Sequence, residues 1–260
     1  MNKLFIDKNI NVTQGELADK LIKENNDSIY IKDNAILRVD RDRWNDAQHY
    51  EKKTWMELCS YLSDDRNYDH YERFDSYKSL VEYQNSHKIS KIIELGCGPF
   101  TNVRTILPFM KDLKEIHLLD PLLNDYLNHN NCKYKNKKMD VFDTKTFSIP
   151  IEEFNEDEKY DMVIMNNVLE HCFDVNIIFD KIFNMLNKDG LFIFSDVYFT
   201  GDDADKMVHE IFDAGHPIKL SENYMSEFLN KFHKIYERDF HGLHDQHWRH
   251  DKYFIGIKNN

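Results

Sequence analysis

Residues 92–101 read IIELGCGPFT, and this stretch decides the fold class. The apolar run at its start predicts a short strand that is buried on both faces. Gly96 and Gly98 follow directly, and glycine allows positive φ angles and a close approach of the backbone to a ligand. Asp120 ends the next apolar run, where an acid can accept hydrogen bonds from ribose hydroxyls. Together these positions predict a binding site for an adenosine-bearing cofactor.

The chain from residue 90 onward alternates between predicted strands and helices. Short apolar runs occur in KIIELG, EIHLLDP, YDMVIMNNV and GLFIFSDVYF, and helical stretches separate them. This alternation predicts an α/β sheet with right-handed crossovers. KIYERDF and KYFIGIK predict two late strands, paired antiparallel at the sheet edge. We therefore assign residues 87–260 to the main, cofactor-binding domain.

The sequence of residues 1–86 predicts a smaller amino-terminal appendage. Thr13 can cap a short helix, and SIYIKDNAILRVD predicts two strands joined by a turn. Apolar and aromatic residues at helical spacing predict two helices, over residues 43–62 and 68–86. We expect these two helices to precede the main domain.

The composition excludes several classes of protein. The chain has 260 residues, with 34 Lys and Arg against 46 Asp and Glu, and a formal net charge of −12. An acidic surface repels phosphate backbones, so we expect no nucleic-acid partner. No apolar run reaches membrane-spanning length, and the first residues lack a signal-peptide pattern. The four scattered cysteines fit reduced thiols better than a disulfide frame or a zinc site, so we expect a cytoplasmic protein.

The residue at position 101 bears on the identity of the cofactor. The dinucleotide fingerprint G-x-G-x-x-G has a third glycine where this chain has Thr101, which weakens the case for an NAD-dependent enzyme. The string ELGCGP, residues 94–99, instead resembles motif I of the class I S-adenosylmethionine-dependent methyltransferases. The resemblance covers about residues 90–200. It implies a Rossmann-like, seven-stranded and mostly parallel sheet with helices on both faces, and S-adenosyl-L-methionine as the cofactor.

The resemblance also implies a set of cofactor-binding residues. In the main domain these are Glu94, Gly96, Cys97, Gly98, Asp120, Pro121, Asp140, Val141 and Asn166. Glu94 matches the family's acid near the methionyl amino group, and Asp120 matches the acid that binds the ribose. Asp140 and Val141 match the pair that contacts the adenine after the third strand. Asn166 matches the residue beside the methionyl part, and LEH at residues 169–171 is a sequence often found there.

Methyl transfer to an alcohol needs a general base, because the hydroxyl group must lose its proton. His171 follows the fourth predicted strand, and His216 lies in the turn sequence DAGHP after the fifth. Both are candidate bases, since the loops at this edge of the sheet face the substrate. Two alternatives stay open: His171 only orients the loop that packs on the cofactor, and His216 belongs to an ordinary surface turn.

Four histidines at three-residue spacing form a further candidate site. They are His241, His244, His247 and His250, and with Asp245 they could bind a transition metal. The stretch lies between two predicted strands, so this spacing need not place the rings on one face. We therefore predict a polar hairpin loop at the rim of the substrate pocket, and no metal site.

A second, shorter resemblance involves the predicted helix from Trp44 to Trp55. An aromatic and Ala-Gln segment, a glutamate and a tryptophan precede the cofactor domain in methyltransferases of surface-polysaccharide and nucleotide-sugar pathways. The sequences GHPIK and YFIGIK are similar to that group as well. The resemblance implies that the helix covers cofactor and substrate, with polar contacts from Gln48 and from Tyr50 or Glu51. The alternative is a helix that only packs through its two tryptophans.

These observations lead to one main hypothesis and two alternatives. The chain is interpreted as an O-methyltransferase that acts on a hydroxyl group of a sugar or nucleotide-linked sugar, such as a precursor of capsule or other surface polysaccharide. The expected partners are a small-molecule substrate and, as an option, a second copy of the chain, but neither nucleic acid nor membrane. The alternatives are an N-methyltransferase of an amino sugar or other small amine, and a protein that binds the cofactor without catalysis.

Overall fold

The central element of the computed structural model is an eight-stranded sheet, and the structure describes residues 29–32, 35–63, 65–155, 157–201, 215–243 and 249–259. The strands of the sheet are β3 (Lys91–Leu95), β4 (Glu115–Leu119), β5 (Lys138–Met139), β6 (Phe142–Phe147), β7 (Tyr160–Asn166), β8 (Leu186–Tyr198), β9 (Phe232–His241) and β10 (His250–Lys258). Their order across the sheet is β5-β6-β4-β3-β7-β8-β10-β9. A separate hairpin pairs β1 (Ile29–Lys32) with β2 (Ala35–Val39).

The predicted α/β sheet is confirmed. Strands β6, β4, β3, β7 and β8 run parallel, while β10 and β9 add an antiparallel edge. The described sheet has eight strands rather than the expected seven. The additional strand, β5, pairs antiparallel with β6 and is only two residues long, too short to leave a pattern in the sequence.

Seven α-helices lie in the described parts of the chain. They are α1 (Arg41–Lys53), α2 (Asp65–Arg73), α3 (Lys78–Tyr83), α4 (Val103–Ile106), α5 (Leu123–Tyr126), α6 (Val175–Met185) and α7 (Glu222–Leu229). The helix expected over residues 68–86 is two helices, because Asp75, Ser76 and Tyr77 have positive φ angles and break it. The helix expected after Thr13 lies outside the described residues.

Both faces of the sheet are covered by apolar side chains. Ile92 packs on one face with Phe74, which lies between α2 and α3, and with Leu80 of α3, whereas Ile93 packs on the other face with Ile178 of α6. Strands buried on both faces are expected for a parallel sheet between helices. The described helices of the chain include none with the length and apolar composition needed to cross a membrane.

The amino-terminal elements are attached to the main sheet domain through backbone hydrogen bonds. Ile36 of β2 donates to the carbonyl of Lys219 over 2.8 Å, and Val39 donates to the carbonyl of Phe173 over 3.0 Å. Trp44 of α1 is buried against the ring of Phe173, with 5.4 Å between the centroids. These contacts place α1 beside the carboxyl ends of the parallel strands. The domain boundary at residue 86 stays a prediction.

Candidate active site

The glycine turn after β3 brings the backbone close to Val168, in the loop that follows β7. Gly96 has a φ angle of +68°, and a Cβ atom there would lie 2.4 Å from both γ-carbons of Val168. Gly98 has a φ angle of +53° but has open space around it. Glycine is thus required at position 96 by both conformation and space. Cys97 lies between them, and burial raises the pKa of its thiol, which suits a packing residue and not a nucleophile.

The carboxylate of Glu94 does not line the cavity described below, and its expected contact with the cofactor stays a prediction. It is fully buried and accepts hydrogen bonds from the backbone and side-chain nitrogens of Asn102 over 2.8 and 2.9 Å, and another from the hydroxyl of Thr101. Burial raises its pKa from 4.5 to about 7, although these hydrogen bonds oppose the rise. Glu94 therefore organises the start of α4 behind the glycine turn.

Asp120, at the carboxyl end of β4, joins two parts of the loop region. One carboxylate oxygen accepts a hydrogen bond from the amide of Gly98 over 3.0 Å, and the other accepts from the amide of Leu122 over 2.8 Å. Burial raises the pKa of Asp120 from 3.8 to about 6. Each oxygen keeps a further lone pair, so the carboxylate can still accept from a ligand hydroxyl. Pro121 follows it and lines the same cavity.

The structure does not bring Asp140 and Val141 to the cavity, and their expected contact with the adenine stays a prediction. The third parallel strand is β6, and the two residues precede it instead of following it. Val141 is 83% exposed. The residues that do follow β6 and line the cavity are Pro150, Ile151 and Glu152. Sequence reasoning missed them because FDTKTF lacks the apolar run that marks the other strands.

A cavity of about 390 Å³ lies at the carboxyl ends of the parallel strands. The sequence-predicted site residues that line it are Gln48, Tyr50, Gly96, Cys97, Gly98, Asp120, Pro121, Asn166, His171 and His216. Asn166 accepts a hydrogen bond from Ser195, but its amide nitrogen is buried without a partner in the described structure. An unpaired buried donor in a cavity wall fits a site that receives a polar ligand.

Helix α1 is hydrogen-bonded to the backbone of a candidate base. The indole nitrogen of Trp44 and the amide nitrogen of Gln48 both donate to the carbonyl of His171, each over 3.1 Å. Gln48 therefore positions the His171 loop in addition to lining the cavity. Tyr50, on the same helix, is 46% exposed.

The two candidate bases are neighbours, although 45 positions separate them in the sequence. The ring centroids of His171 and His216 are 4.5 Å apart. Nδ1 of His171 lies 3.0 Å from the carbonyl of Gly215 and 3.7 Å from Oε1 of Glu51. Nε2 of His216 lies 3.5 Å from Oε1 of Glu170. Each imidazole thus has a glutamate beside it.

The electrostatics of this group favour a neutral His171. Burial lowers the pKa of His171 below 6.5, while the charge of Glu51 opposes that change. Burial alone would raise the pKa of Glu170, but the charges of His216, His171, Lys219 and Arg249 together outweigh it and lower the pKa. Glu51, His171 and His216 each offer one ligand atom within 4.8 Å of the others, so the same group could also hold a divalent transition metal.

The histidine-rich hairpin contributes to the cavity through other residues. His241 and His250 face each other across β9 and β10, with their Nδ1 atoms 2.6 Å apart. The intervening His244, Asp245 and His247 lie outside the described residues. Leu243 and Arg249, at the base of the same hairpin, line the cavity, whereas His241 and His250 do not.

The chain is similar to known methyltransferases. Residues 47–234 match a family model described as a methyltransferase domain. No curated protein matches the chain. Among solved structures, it is similar to the N-methyltransferase NodS from Bradyrhizobium japonicum WM9 in complex with S-adenosyl-L-homocysteine, with 14% identity and a TM-score of 0.51 over 73% of this chain and 88% of that one.

A second solved structure with this fold is the O-methyltransferase from a trans-AT PKS multienzyme of Brevibacillus brevis, also in complex with S-adenosyl-L-homocysteine. Its identity is 13% and its TM-score 0.51, over 80% of this chain and 79% of that one. At such identities the likeness concerns the fold, whereas the family model spans well over half of the chain. The protein therefore belongs to the methyltransferase-domain family and is an S-adenosylmethionine-dependent methyltransferase with the class I fold.

Proposed function

We propose that this enzyme methylates a hydroxyl group of a sugar or nucleotide-linked sugar, and that His171, with His216 beside it, receives the hydroxyl proton. The observation that carries the proposal is the histidine pair itself. Two imidazoles with a glutamate beside each line the cavity that also contains the glycine turn and Asp120. A hydroxyl acceptor needs such a base, because an un-ionised alcohol is a weak nucleophile.

The residues around the glycine turn fit the cofactor. We infer that Asp120 accepts from the ribose hydroxyls and that the amide nitrogen of Asn166 donates to the methionyl part; both residues line the cavity, and this nitrogen has no partner in the described structure. Pro150 and Ile151 offer an apolar wall to the adenine in place of Asp140 and Val141. When bound, S-adenosylmethionine supplies the sulfonium methyl group, and the protein supplies position and electrostatics.

The protonation state of His171 suits its proposed role. If Nδ1 donates its proton to the carbonyl of Gly215, Nε2 is left as the proton acceptor. The lowered pKa keeps the imidazole neutral near pH 7. Once His171 takes a proton, the carboxylate of Glu51 at 3.7 Å stabilises the imidazolium. At an effective dielectric constant of 20, two unit charges about 4 Å apart attract by roughly 4 kcal/mol.

One observation favours a different acceptor, a small amine. Among the described residues that line the cavity, the carboxylates of Glu51, Asp69, Asp120, Glu152, Asp196 and Asp251 outnumber the guanidinium groups of Arg73 and Arg249. A negative wall attracts a cationic amine. Once neutral, however, an amine is a nucleophile without a strong base. N-methylation would therefore depend much less on the histidine pair.

Replacement of both histidines distinguishes the two acceptors. We expect the double variant His171→Gln, His216→Gln to lose roughly 100-fold or more in the rate of methyl transfer to a hydroxyl acceptor found in a panel of nucleotide sugars and free sugars. His233→Gln is the matched control, because His233 is exposed and does not line the cavity. Calorimetry with S-adenosylhomocysteine should give the same affinity for all three chains. A double variant with wild-type kcat, or a panel in which only amines are methylated, would contradict O-methylation.

A further inference from the structure

The cavity extends beyond the histidine pair to an end built by α2 and β10. Helix α2 contributes His70 and Arg73, which are three residues apart and so lie on one side of the helix. Strand β10 contributes Asp251 and Tyr253, which alternate toward the same face of the sheet. His70 and Tyr253 are in contact, with 3.1 Å between Nδ1 and the phenol oxygen. We call these four residues the α2–β10 end of the cavity.

Arg73 lies on aromatic rings at this end. Its guanidinium carbon is 4.8 Å from the ring centroid of Phe240 and 6.0 Å from that of Tyr253. Within the described part of the chain, no carboxylate forms an ion pair with it. Contact with ring faces stabilises a cation without occupying its N–H donors. The donors of Arg73 are thus left for a ligand.

Two other arginines nearby differ in this respect. Arg249 also lines the cavity, but its Nε and Nη2 atoms bind the carboxylate of Asp251 over 2.7 to 3.0 Å. Arg238 lies over the same Phe240 ring at 4.5 Å, forms an ion pair with Asp75 over 3.0 Å, and does not line the cavity. Both form ion pairs with acidic partners, whereas Arg73 forms none among the described residues, although Asp69 of α2 lines the same cavity.

We propose that Arg73 binds an anionic group of the methyl acceptor, a phosphate or a carboxylate. The inference rests on the proposed function and narrows its substrate class, from polar sugars to anionic ones. A guanidinium group matches the oxygen geometry of both anions with paired N–H donors. In a chain with a net charge of −12, the general field repels anions, so an anionic acceptor needs a local cation such as this one. A nucleotide-linked sugar carries phosphates, and a sugar acid carries a carboxylate.

Binding measurements without turnover test this inference. The protein is saturated with S-adenosylhomocysteine, and calorimetry compares uridine diphosphate with uridine, and glucuronate with glucose. We expect one anionic probe to bind at least about tenfold more tightly than its neutral counterpart, because hydrogen bonds to a charged group contribute more than neutral ones. The preferred pair distinguishes a phosphate-bearing acceptor from a sugar acid. These comparisons need only the wild-type chain.

Variants of Arg73 test whether this side chain causes the preference for the anionic probe. Arg73→Gln should abolish the preference for the anionic probe, and Arg73→Lys should keep most of it because the charge remains. Arg238→Gln is the matched control and should bind like the wild type. The inference is overturned if neither anionic probe is preferred, or if Arg73→Gln retains the preference. The proposed hydroxyl methylation would fail separately, through wild-type kcat in the histidine double variant.

Discussion

Gly215 leaves no room for a Cβ atom beside Glu51, since such an atom would lie 2.9 Å from Oε1 of the carboxylate. The same carboxylate oxygen is the one that faces His171. The turn that carries His216 and the helix that carries Glu51 are therefore in direct contact at the proposed base. We expect a substitution at this contact to lower kcat with little effect on the stability of the fold.

Gly215→Ala tests this contact. The added methyl group displaces the flexible end of Glu51, so we expect little loss of stability but a decrease in kcat of roughly 10- to 100-fold, because the proposed base is misplaced. Affinity for S-adenosylhomocysteine should not change. In a Glu51→Ala background the methyl group has space, and Gly215→Ala should have no further effect on kcat. An equal decrease in both backgrounds would show that the contact with Glu51 is not the cause.

The pH dependence of the rate should follow His171. A base acts when it is neutral, so kcat should fall as the pH decreases through the pKa of His171, which burial places below 6.5. Glu51 raises that pKa, and Glu51→Gln should therefore move the acidic limb of the profile to lower pH and reduce the plateau. Profiles from about pH 5 to 8 measure this. Glu57→Gln, an exposed change outside the cavity, is the control; a limb that stays in place in Glu51→Gln would exclude His171 as the titrating base.

The two glycines of the turn should differ in their tolerance of alanine. Gly96→Ala adds both positive-φ strain and a collision with Val168, and we expect about 2–4 kcal/mol of lost unfolding free energy. Gly98→Ala adds only the strain, because nothing lies within 4 Å of the new atom, and should lose about 1–2 kcal/mol. Denaturant unfolding measures both values. Val168→Ala should recover part of the loss in Gly96→Ala, and no recovery would contradict the collision.

Two aspartates distinguish the cavity in the structure from the cofactor site that the sequence pattern implied. Asp120→Asn should weaken binding of S-adenosylhomocysteine by roughly tenfold or more, since a charged acceptor for the ribose is lost. Asp140→Asn should leave the affinity unchanged, because Asp140 does not line the cavity. Calorimetry with S-adenosylhomocysteine at a single pH compares the two variants. A loss of affinity in Asp140→Asn but not in Asp120→Asn would support the adenine contact that the sequence pattern implied.

The main sheet was predictable because its central strands are apolar on both faces. Ile92 and Ile93 pack on opposite sides of β3, so the strand leaves a continuous apolar run in the sequence. Strand β6 alternates buried and exposed positions with charged residues, and its sequence FDTKTF gave no such signal. The third strand was therefore expected before Asp140, whereas in the structure it begins after Val141.

The site was predictable only where local sequence determines geometry. The glycines at 96 and 98 and the acid at the end of β4 depend on a turn and a strand end that are close in sequence. The direction of the Glu94 side chain depends on the hydrogen bonds offered by Thr101 and Asn102, which spacing alone does not reveal. The two Glu–His pairs arise from three separate segments, and only the tertiary structure brings them together.

The hydrogen bonds from Trp44 and Gln48 to the carbonyl of His171 link access to the cavity with reactivity. Any movement that lifts α1 from the cavity must break both bonds and remove Glu51 from the imidazole. Glu51 is therefore next to His171 only while α1 covers the cavity. In that position the helix also limits the access of bulk water to the reacting groups. With α1 displaced, the enzyme would bind its methyl donor but lack the contact between Glu51 and His171, so it would deprotonate and methylate an acceptor slowly.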